Sequence, residues 1–327
     1  MTICALYTGR VAGQFAKPRS NLYETIHNIT LPSYRGDIIN DIKFDMQSRT
    51  PDPDRMHRAY MQSQECMHML HSIQTSDDGS LYTIHKRNVE FMNVLPEDSA
   101  IRKLYREVDE RIHKHALSSP LPYPSPSSSP YLYPSLSPCP NPPLPFYTAH
   151  ECLHLPYESS LTRTHNNNIF ASSAHMVWVG ERTRSTHGAH IHYVQGLSNP
   201  IGIKISQHIT PDELRALLDK VNPHNIPGKV TCIVRMGAKH IRTHLPPLIH
   251  ALRHAQKKVI WMTDPAHGNT VSTKSGMKTR YLEDMMREVE GFVDVCEEGG
   301  VHVGGMHLEL SGTPGVAECV GGGVGAG

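Results

Sequence analysis

Residues 200–234 read PIGIKISQHITPDELRALLDKVNPHNIPGKVTCIV. Two short runs of β-branched and apolar residues flank a segment with the apolar spacing of an amphipathic helix. Thr210 is predicted to cap that helix, with Pro211 at its first position and Glu213 completing a capping box. The apolar positions follow at intervals of three and four residues, at Leu214, Leu217, Leu218 and Val221. The stretch therefore predicts a strand, a helix and a second strand in sequence.

The same alternation continues on both sides of this stretch. The run GKVTCIVRMG precedes a predicted helix over residues 239–257, which the pair Pro246-Pro247 must either start or kink. The strand KKVIWMTD then precedes a helix in TRYLEDMMREVEGFVDV, and GGMHLELSG follows as another strand. The apolar face predicted for that helix consists of Leu282, Met285, Met286, Val289 and Val293. Upstream, AHMVWVGERTR and LYTGRVAGQFAKPRS have strand character, while residues 50–116 are mainly helical in composition. Strands that alternate with helices in this way indicate βαβ units and a parallel sheet.

One segment does not fit a packed core. Residues 118–145 contain eleven prolines and eight serines, which remove backbone donors and fix backbone angles unsuited to helices or central strands. We interpret this segment as a disordered, polyproline-like insertion, with a ligand for a proline-recognising domain as the alternative. The expected organisation is an N-terminal barrel strand and helical region over residues 1–117, the insertion, and the main part of the barrel over residues 146–327.

Composition restricts the class of protein. No apolar stretch approaches the roughly 18–20 residues that span a bilayer. The net charge of +1 provides no general attraction for nucleic acid. The seven cysteines show no CxxC spacing, which favours a reducing, intracellular compartment. These features predict an intracellular protein without a membrane or nucleic-acid role, and they leave open whether it is a homo-oligomer.

Polar residues recur at or just beyond the predicted strand ends. They are Glu181, Arg182, Lys204, Arg235, His267 and Glu309. In a (β/α)8 barrel such residues converge at one face, whereas an open doubly wound sheet brings together only those near its switch point. The six predicted strands favour the barrel. Any one of these cations could simply pair with a carboxylate, but a gathering of Arg10, Lys17, Arg182, Lys204 and Arg235 indicates an anionic substrate.

His267 and Glu309 form a second constellation. An imidazole nitrogen and a carboxylate oxygen suit Mn²⁺, Co²⁺, Fe²⁺ or Zn²⁺. The pair could equally be a general base and the acid that orients it. His302 and His307 are rival ligands, and the even spacing of His307 from Glu309 predicts that both share one face of a strand.

Eight segments closely resemble the class II, plant-type 3-deoxy-D-arabino-heptulosonate 7-phosphate (DAHP) synthases. They are GRVAGQFAKPRS, LPSYRGDIIN, YTAHECLHLPYE, SAHMVWVGERTR, NPIGIKIS, IVRMGAKHIRTHLPPLIHALR, DPAHGNT and GGMHLELSG, the last followed by ECVGG. The resemblance covers nearly the whole chain outside residues 118–145. It implies a (β/α)8 barrel that condenses phosphoenolpyruvate, erythrose 4-phosphate and water to DAHP and phosphate, the first step of the shikimate pathway.

The resemblance also implies roles for individual residues. The phosphoenolpyruvate site would comprise Arg10, Glu181, Arg182, Lys204 and Arg235. Lys17 and Ser20 would lie near the phosphate of erythrose 4-phosphate. His267 and Glu309 would be ligands of a divalent ion, Mn²⁺ or Co²⁺, and the catalytic residues would be Lys204 and His267.

Two expected segments of the family are missing. A GGDCAE-like segment that carries a cysteine ligand does not precede Arg10, and a CDPRLN-like segment with an aspartate ligand does not follow Glu309. We therefore expect a chain truncated at both ends and a barrel that lacks its first and last strands. The alternatives are a non-catalytic remnant or interaction protein of the same fold, and an unrelated phosphate-binding barrel. By the same resemblance, the compartment is a plastid in a plant or alga, or otherwise the cytoplasm.

Overall fold

The fold is described from a computed structural model of the chain. The described residues are 8–9, 11–19, 21–76, 81–99, 102–103, 106–107, 110, 146–272 and 278–309. The chain divides into two compact units, one formed by Met1–Met61 with Tyr147–Gly327 and the other by Gln62–Phe146. The Pro/Ser-rich segment 118–145 lies outside the described residues, so its interpretation stays a prediction.

A parallel sheet of seven strands forms the centre of the first unit, and its strand order follows the chain order throughout. The strands are β1 Thr8–Gly9, β2 Tyr147–Glu151, β3 Met176–Val179, β4 Ile201–Ile205, β5 Val230–Val234, β6 Ile260–Thr263 and β7 Val303–Met306. The predicted alternation of strands and helices and the parallel sheet are therefore confirmed. Among the described residues, three two-stranded antiparallel ribbons accompany the sheet, at Tyr23–Ile26 with Ile29–Pro32, Thr162–His165 with Asn168–Ala171, and Val271–Ser272 with Lys278–Thr279.

The sheet curls strongly. The ring of Trp178 in β3 meets the ring of His307, just after β7, with the ring centroids 5.2 Å apart and the planes at 84°. Three strands lie between β3 and β7, so a flat sheet would separate these residues by about 19 Å at about 4.8 Å per strand. The contact therefore requires a curved α/β sheet, with one concave face on which distant strands approach one another.

The side chains of β4 show which residues occupy that concave face. A Cβ atom on Gly202 would lie 2.7 Å from Cβ of Trp178, and Nζ of Lys204 lies 5.8 Å from the centroid of the Trp178 ring. The intervening residues Ile201, Ile203 and Ile205 are fully buried in the core that the helices cover. Strand alternation therefore directs Lys204 into the concave face, and the isoleucines fix the strand against its helices.

Nine α-helices are present among the described residues. They are α1 Met46–Arg49, α2 Pro53–Thr75, α3 Leu81–Met92, α4 Leu155–Ser160, α5 Ala189–Gln195, α6 Pro211–Val221, α7 Ile241–His254, α8 Pro265–Gly268 and α9 Leu282–Glu298. The helix predicted from the opening stretch is confirmed as α6, with the Thr210 and Glu213 capping box and all four predicted apolar positions buried. Among all the residues that the structure describes, no helix is both long and apolar enough to cross a membrane.

Two predicted helices differ in detail. Helix α7 begins at Ile241 and contains both prolines, so the alternative in which Pro246-Pro247 starts it is wrong. On α9 the predicted apolar face is partly wrong, because Leu282 and Met286 are 48% and 51% exposed. The residues that α9 buries are Met285, Glu288, Gly291, Phe292, Val295 and Cys296. Gly291 turns this face inward, since a Cβ there would lie 2.7 Å from Ile241 Cγ2 of α7.

The last predicted strand is shorter than expected. The stretch GGMHLELSG covers residues 304–312, but β7 ends at Met306, and residues 310–312 lie outside the described residues. Gly305 has a φ of +144°, which a side chain rarely adopts. His307 and Glu309 consequently lie beyond the strand rather than within it.

Candidate active site

Asp264 occupies the centre of the polar cluster on the concave face. It follows β6 directly, its side chain is completely buried, and it caps α8 by accepting from the backbone N–H of His267 at 3.3 Å. Pro265 supplies the first helical position, where its missing N–H costs nothing. The sequence Asp-Pro-Ala-His thus ends the strand and begins a one-turn helix that directs the His267 side chain back toward Asp264.

Two donors converge on the Asp264 carboxylate. Nζ of Lys204 forms a buried ion pair with Oδ2 of Asp264. Nδ1 of His267 lies 2.9 Å from the same oxygen and 3.0 Å from Oδ1. Because the Asp264 carboxylate can only accept, Nδ1 of His267 donates to it, and Nε2 is the ring nitrogen left for other contacts. Asp264 therefore links the end of β4 to helix α8.

The electrostatics of this pair follow from burial and contact. Burial lowers the pKa of Lys204, while the charges of Asp264 and Glu309 act in the opposite direction. Burial opposes ionisation of Asp264, but the hydrogen bond from His267 and the charge of Lys204 outweigh it, so the Asp264 pKa lies well below its usual range. Asp264 is therefore ionised at neutral pH.

The two predicted metal ligands lie close together. Nε2 of His267 is 3.6 Å from Oε1 of Glu309, and Nε2 of His307 is 3.8 Å from the same oxygen. Two ligands held at about 2.1 Å by one ion are roughly 3–3.5 Å apart. The donor set of imidazole Nε2 and carboxylate therefore fits a divalent ion, although the described residues contain no group of three or more His, Cys, Asp or Glu residues arranged to hold one.

The two rival histidines have different surroundings. His302 precedes β7 and is exposed, whereas His307 follows β7 and its side chain is 15% exposed beside Glu309. The prediction that His307 and Glu309 share one face of a strand is wrong, because both lie past the end of β7, but their side chains still lie 3.8 Å apart. Of the two rivals, only His307 accompanies Glu309.

The predicted cations lie in different surroundings. Arg235 follows β5, its Nη2 donates to the His267 carbonyl at 3.2 Å, and its Nε is buried without a hydrogen-bond partner among the described residues. Arg182 follows β3 and is close enough to Glu151 to influence its ionisation. Lys17 is exposed in a loop, where its backbone N–H donates to the backbone carbonyl of Arg35 at 2.7 Å. Arg10 and Ser20 lie outside the described residues.

Glu181 faces the loop that follows β4. Its Oε1 accepts from Arg184 Nη2 and from Ser206 Oγ, both at 2.8 Å. Its Oε2 is buried and has no hydrogen-bond partner in the part of the chain that the structure describes. One carboxylate oxygen is thus engaged by the protein, and the other is left for a further donor.

Two carboxylates of the cluster were not predicted. Glu151 ends β2, and burial raises its pKa although Lys204, Arg182 and two histidines lower it. A Cβ on Gly180 would lie 2.0 Å from Glu151 Oε1, so the glycine after β3 leaves the space that the Glu151 side chain occupies. Glu151 occupies a strand end and could have been found by the same rule as the others. Asp264 was not among the predicted site residues, because sequence alone does not show that its side chain turns back.

Comparison with known proteins identifies the family. The sequence model of the class-II DAHP synthetase family matches residues 2–326. The chain is 38% identical over 319 residues to the phospho-2-dehydro-3-deoxyheptonate aldolase of Streptomyces coelicolor, covering 96% of this chain and 67% of that protein. It is 33% identical over 320 residues to phospho-2-dehydro-3-deoxyheptonate aldolase AroG of Mycolicibacterium smegmatis, covering 96% of this chain and 65% of that protein. The chain thus spans about two thirds of the length of these curated relatives.

Both of these relatives are bacterial, which supports the class without supporting the narrower plant-type expectation. The match extends across both compact units and includes every strand of the parallel sheet. The chain therefore belongs to the class-II DAHP synthetase family.

Proposed function

We propose that this protein is a DAHP synthase, a transferase that condenses phosphoenolpyruvate with erythrose 4-phosphate and water, releasing phosphate, at the first step of the shikimate pathway. The observation that carries the proposal is the chain of contacts from the buried pair Lys204 and Asp264 to the partly exposed side chains of His267 and Glu309. Family membership supports the same conclusion. The chain of contacts joins a cation for an anionic substrate to the two expected metal ligands.

The fold proposed for this activity is a (β/α)8 barrel of which the curled sheet is a part. The unbroken chain order of the seven strands and the contact across the concave face support it. In such barrels the active site lies at the carboxyl ends of the strands. The cluster of Glu151, Lys204, Arg235 and Asp264 occupies that position, because each residue lies at or after the end of its strand.

The proposed phosphoenolpyruvate site comprises Arg10, Glu181, Arg182, Lys204 and Arg235. The buried Nε of Arg235 supports it, because an unpaired guanidinium nitrogen at the site offers a donor to a carboxylate or phosphate. Lys204 contributes a buried ammonium whose charge Asp264 balances. Glu181 cannot bind an anion, and its proposed part is to hold Ser206 and Arg184 in place.

Lys17 and Ser20 are proposed to bind the phosphate of erythrose 4-phosphate. The exposed side chain of Lys17, on a loop whose backbone is fixed to Arg35, supports this assignment. The point charge of a lysine ammonium suits the distal phosphate of a four-carbon substrate.

His267 and Glu309 are proposed to hold Mn²⁺ or Co²⁺. When bound, such an ion acts as a Lewis acid that polarises the erythrose 4-phosphate aldehyde. Asp264 fixes the ring of His267 through Nδ1, so Nε2 is the nitrogen that would hold the ion. Imidazole nitrogen with carboxylate oxygen is a donor set that these ions accept.

The protein's own groups then have separable roles in the condensation. Arg235 and Arg182 would orient phosphoenolpyruvate so that its C3 faces the aldehyde carbon. Lys204 would stabilise the negative charge that develops as water adds at C2 and phosphate leaves. Because Lys204 is buried, its charge acts at low local dielectric, where it is worth more than at the surface.

The proposed ligands are therefore two small anions, and the proposed setting is intracellular. The net charge of +1 and the absence of CxxC spacing among the seven cysteines support these assignments. In the described part of the chain, Cys66, Cys152, Cys232 and Cys296 are free thiols.

The test measures phosphoenolpyruvate loss and phosphate release by the purified protein with Mn²⁺, with and without erythrose 4-phosphate. Consumption that requires erythrose 4-phosphate and disappears in Lys204→Met supports the proposal. Phosphoenolpyruvate binding without consumption supports the non-catalytic alternative. If the protein neither binds nor consumes phosphoenolpyruvate, the assignment of the site is overturned.

A further inference from the structure

Glu288 is a buried carboxylate that the proposed reaction does not use. It lies on α9 and is completely buried. Its Oε1 accepts from the backbone N–H groups of Met236 and Gly237, both at 2.9 Å. Its Oε2 accepts from Nδ2 of Asn269 at 2.7 Å. All three donors belong to loops that follow strands of the sheet.

Asn269 extends these contacts into a closed network. Its Oδ1 accepts from the N–H of Ala238 at 3.0 Å, and its Nδ2 also donates to the Pro265 carbonyl at 2.8 Å. Glu288 and Asn269 therefore connect residues 236–238, after β5, with residues 265–269, after β6. The first loop adjoins Arg235, and the second carries His267.

The two loops are in close backbone contact. A Cβ on Gly237, whose φ is +82°, would lie 2.7 Å from the Gly268 carbonyl oxygen. A Cβ on Gly268 would lie 2.4 Å from the Gly237 nitrogen. Only glycine fits at either position, so the backbones of the two loops pack directly against each other.

The burial of Glu288 is costly, and packing alone does not explain it. Burial raises its pKa to about 7, even though the N–H groups of Gly237 and Met236 and the amide of Asn269 favour the ionised form. An apolar residue would fill the same space without that cost. What the carboxylate adds is an acceptor for three donors on two loops.

We propose that Glu288 is a positioning residue that fixes the loop next to Arg235 against the helical turn bearing His267. The inference rests on the proposed function for its catalytic meaning. Its structural content, joint fixation of two loops by one side chain, stands on the contacts alone.

The test compares Glu288→Gln with Glu290→Gln, an exposed acid-to-amide change two residues away on the same helix. Whichever way the amide introduced by Glu288→Gln turns, its NH2 group faces an N–H donor. Hydrogen exchange should accelerate about tenfold in peptides covering residues 235–240 and 265–270 but not in β4. The KM for phosphoenolpyruvate and the Kd for Mn²⁺ should rise about tenfold, because one loosened loop adjoins Arg235 and the other carries His267, while Glu290→Gln leaves them unchanged.

Two further variants separate positioning from general stability. Asn269→Ala removes the same connection from the other side and should loosen the same two peptides. Glu288→Gln combined with Asn269→Asp exchanges donor and acceptor across the contact and should return their exchange part of the way.

Unchanged exchange in both loops, or acceleration spread equally over the strands, would overturn the proposal. So would a fall in melting temperature with an unchanged KM and Kd. If the wild-type protein binds neither phosphoenolpyruvate nor Mn²⁺, the proposed function fails, and the exchange data still decide whether Glu288 fixes the two loops.

Discussion

Replacing Asp264 by Asn removes the negative charge that Lys204 and His267 share. The new side-chain amide can still accept from His267, but it cannot neutralise the Lys204 ammonium, whose side chain is 8% exposed. Removing one member of a buried ion pair typically costs about 3–5 kcal/mol, since it leaves the other charge buried and unpaired. Asn is nearly isosteric with Asp, so the variant keeps the shape of the side chain while it loses the charge and replaces one acceptor oxygen by an NH2 donor.

Deprotonation of Lys204 limits that cost. Burial already lowers the Lys204 pKa, and without Asp264 nothing of equal strength opposes this effect. Lys204 of the variant should therefore be protonated in the unfolded state and increasingly neutral in the folded state. Where the unfolded state binds more protons, stability rises with pH. We expect a deficit of about 3 kcal/mol at about pH 6 that narrows toward about pH 9.

The measurement is the free energy of unfolding from urea titrations at several pH values. Asp294→Asn is the matched control, because its ion pair with Arg242 is about half exposed and should contribute less than about 1 kcal/mol at any of these pH values. A deficit below about 1 kcal/mol for Asp264→Asn at about pH 6, or a deficit that widens as pH rises, would refute the reasoning.

Three further outcomes follow from the structure. Gly202→Ala should destabilise the protein by about 1–3 kcal/mol in urea titrations, because its Cβ would lie 2.7 Å from Trp178 Cβ, whereas Gly196→Ala has room and should change stability by less than about 0.5 kcal/mol. Glu309→Gln should weaken Mn²⁺ binding at least about tenfold in calorimetric titrations, and the exposed His302→Asn should not. The folded-state pKa of Glu288 is raised to about 7 from 4.5, so its contribution is present below about pH 4.5 and lost as pH rises through about 7. Wild type should therefore lose stability relative to Glu288→Gln between about pH 5 and about pH 8, by on the order of 2–3 kcal/mol, and a parallel pH dependence of the two proteins would contradict this.

Local sequence signals were sufficient to predict an element wherever contacts between residues close in the chain decide its structure. Helix α6 begins and ends as predicted, because its capping box and its apolar spacing act within a few residues. The strands β4 and β5 were recognisable for the same reason, since both of their faces are apolar apart from single residues such as Lys204 and Thr231. Convergence of strand-end residues could also be expected once the sheet was known to be parallel.

Tertiary contacts decided the rest. Periodicity assigns Leu282 and Met286 to the buried face of α9, but the close approach at Gly291 and the donors around Glu288 rotate that face. A carboxylate in an apolar stripe is interpreted as exposed unless its donors are known. Those donors lie more than 50 residues earlier in the chain, at Met236 and Gly237. The inward turn of Asp264 depended in the same way on Lys204, which sequence could not pair with it.

One side chain takes part both in the contact across the curled sheet and in the site. Trp178 contacts the His307 ring at one edge and lies 5.8 Å from the Lys204 ammonium. A Cβ at residue 202 would prevent the close approach of β4 to Trp178. A glycine is therefore required at this position, between Ile201 and Ile203. Because Trp178 packs between the Lys204 side and the His307 side of the cluster, the curvature that closes the concave face also sets the separation between the proposed anion site and the proposed metal ligands. The packing of Trp178 therefore links the curvature of the sheet to the arrangement of the proposed site.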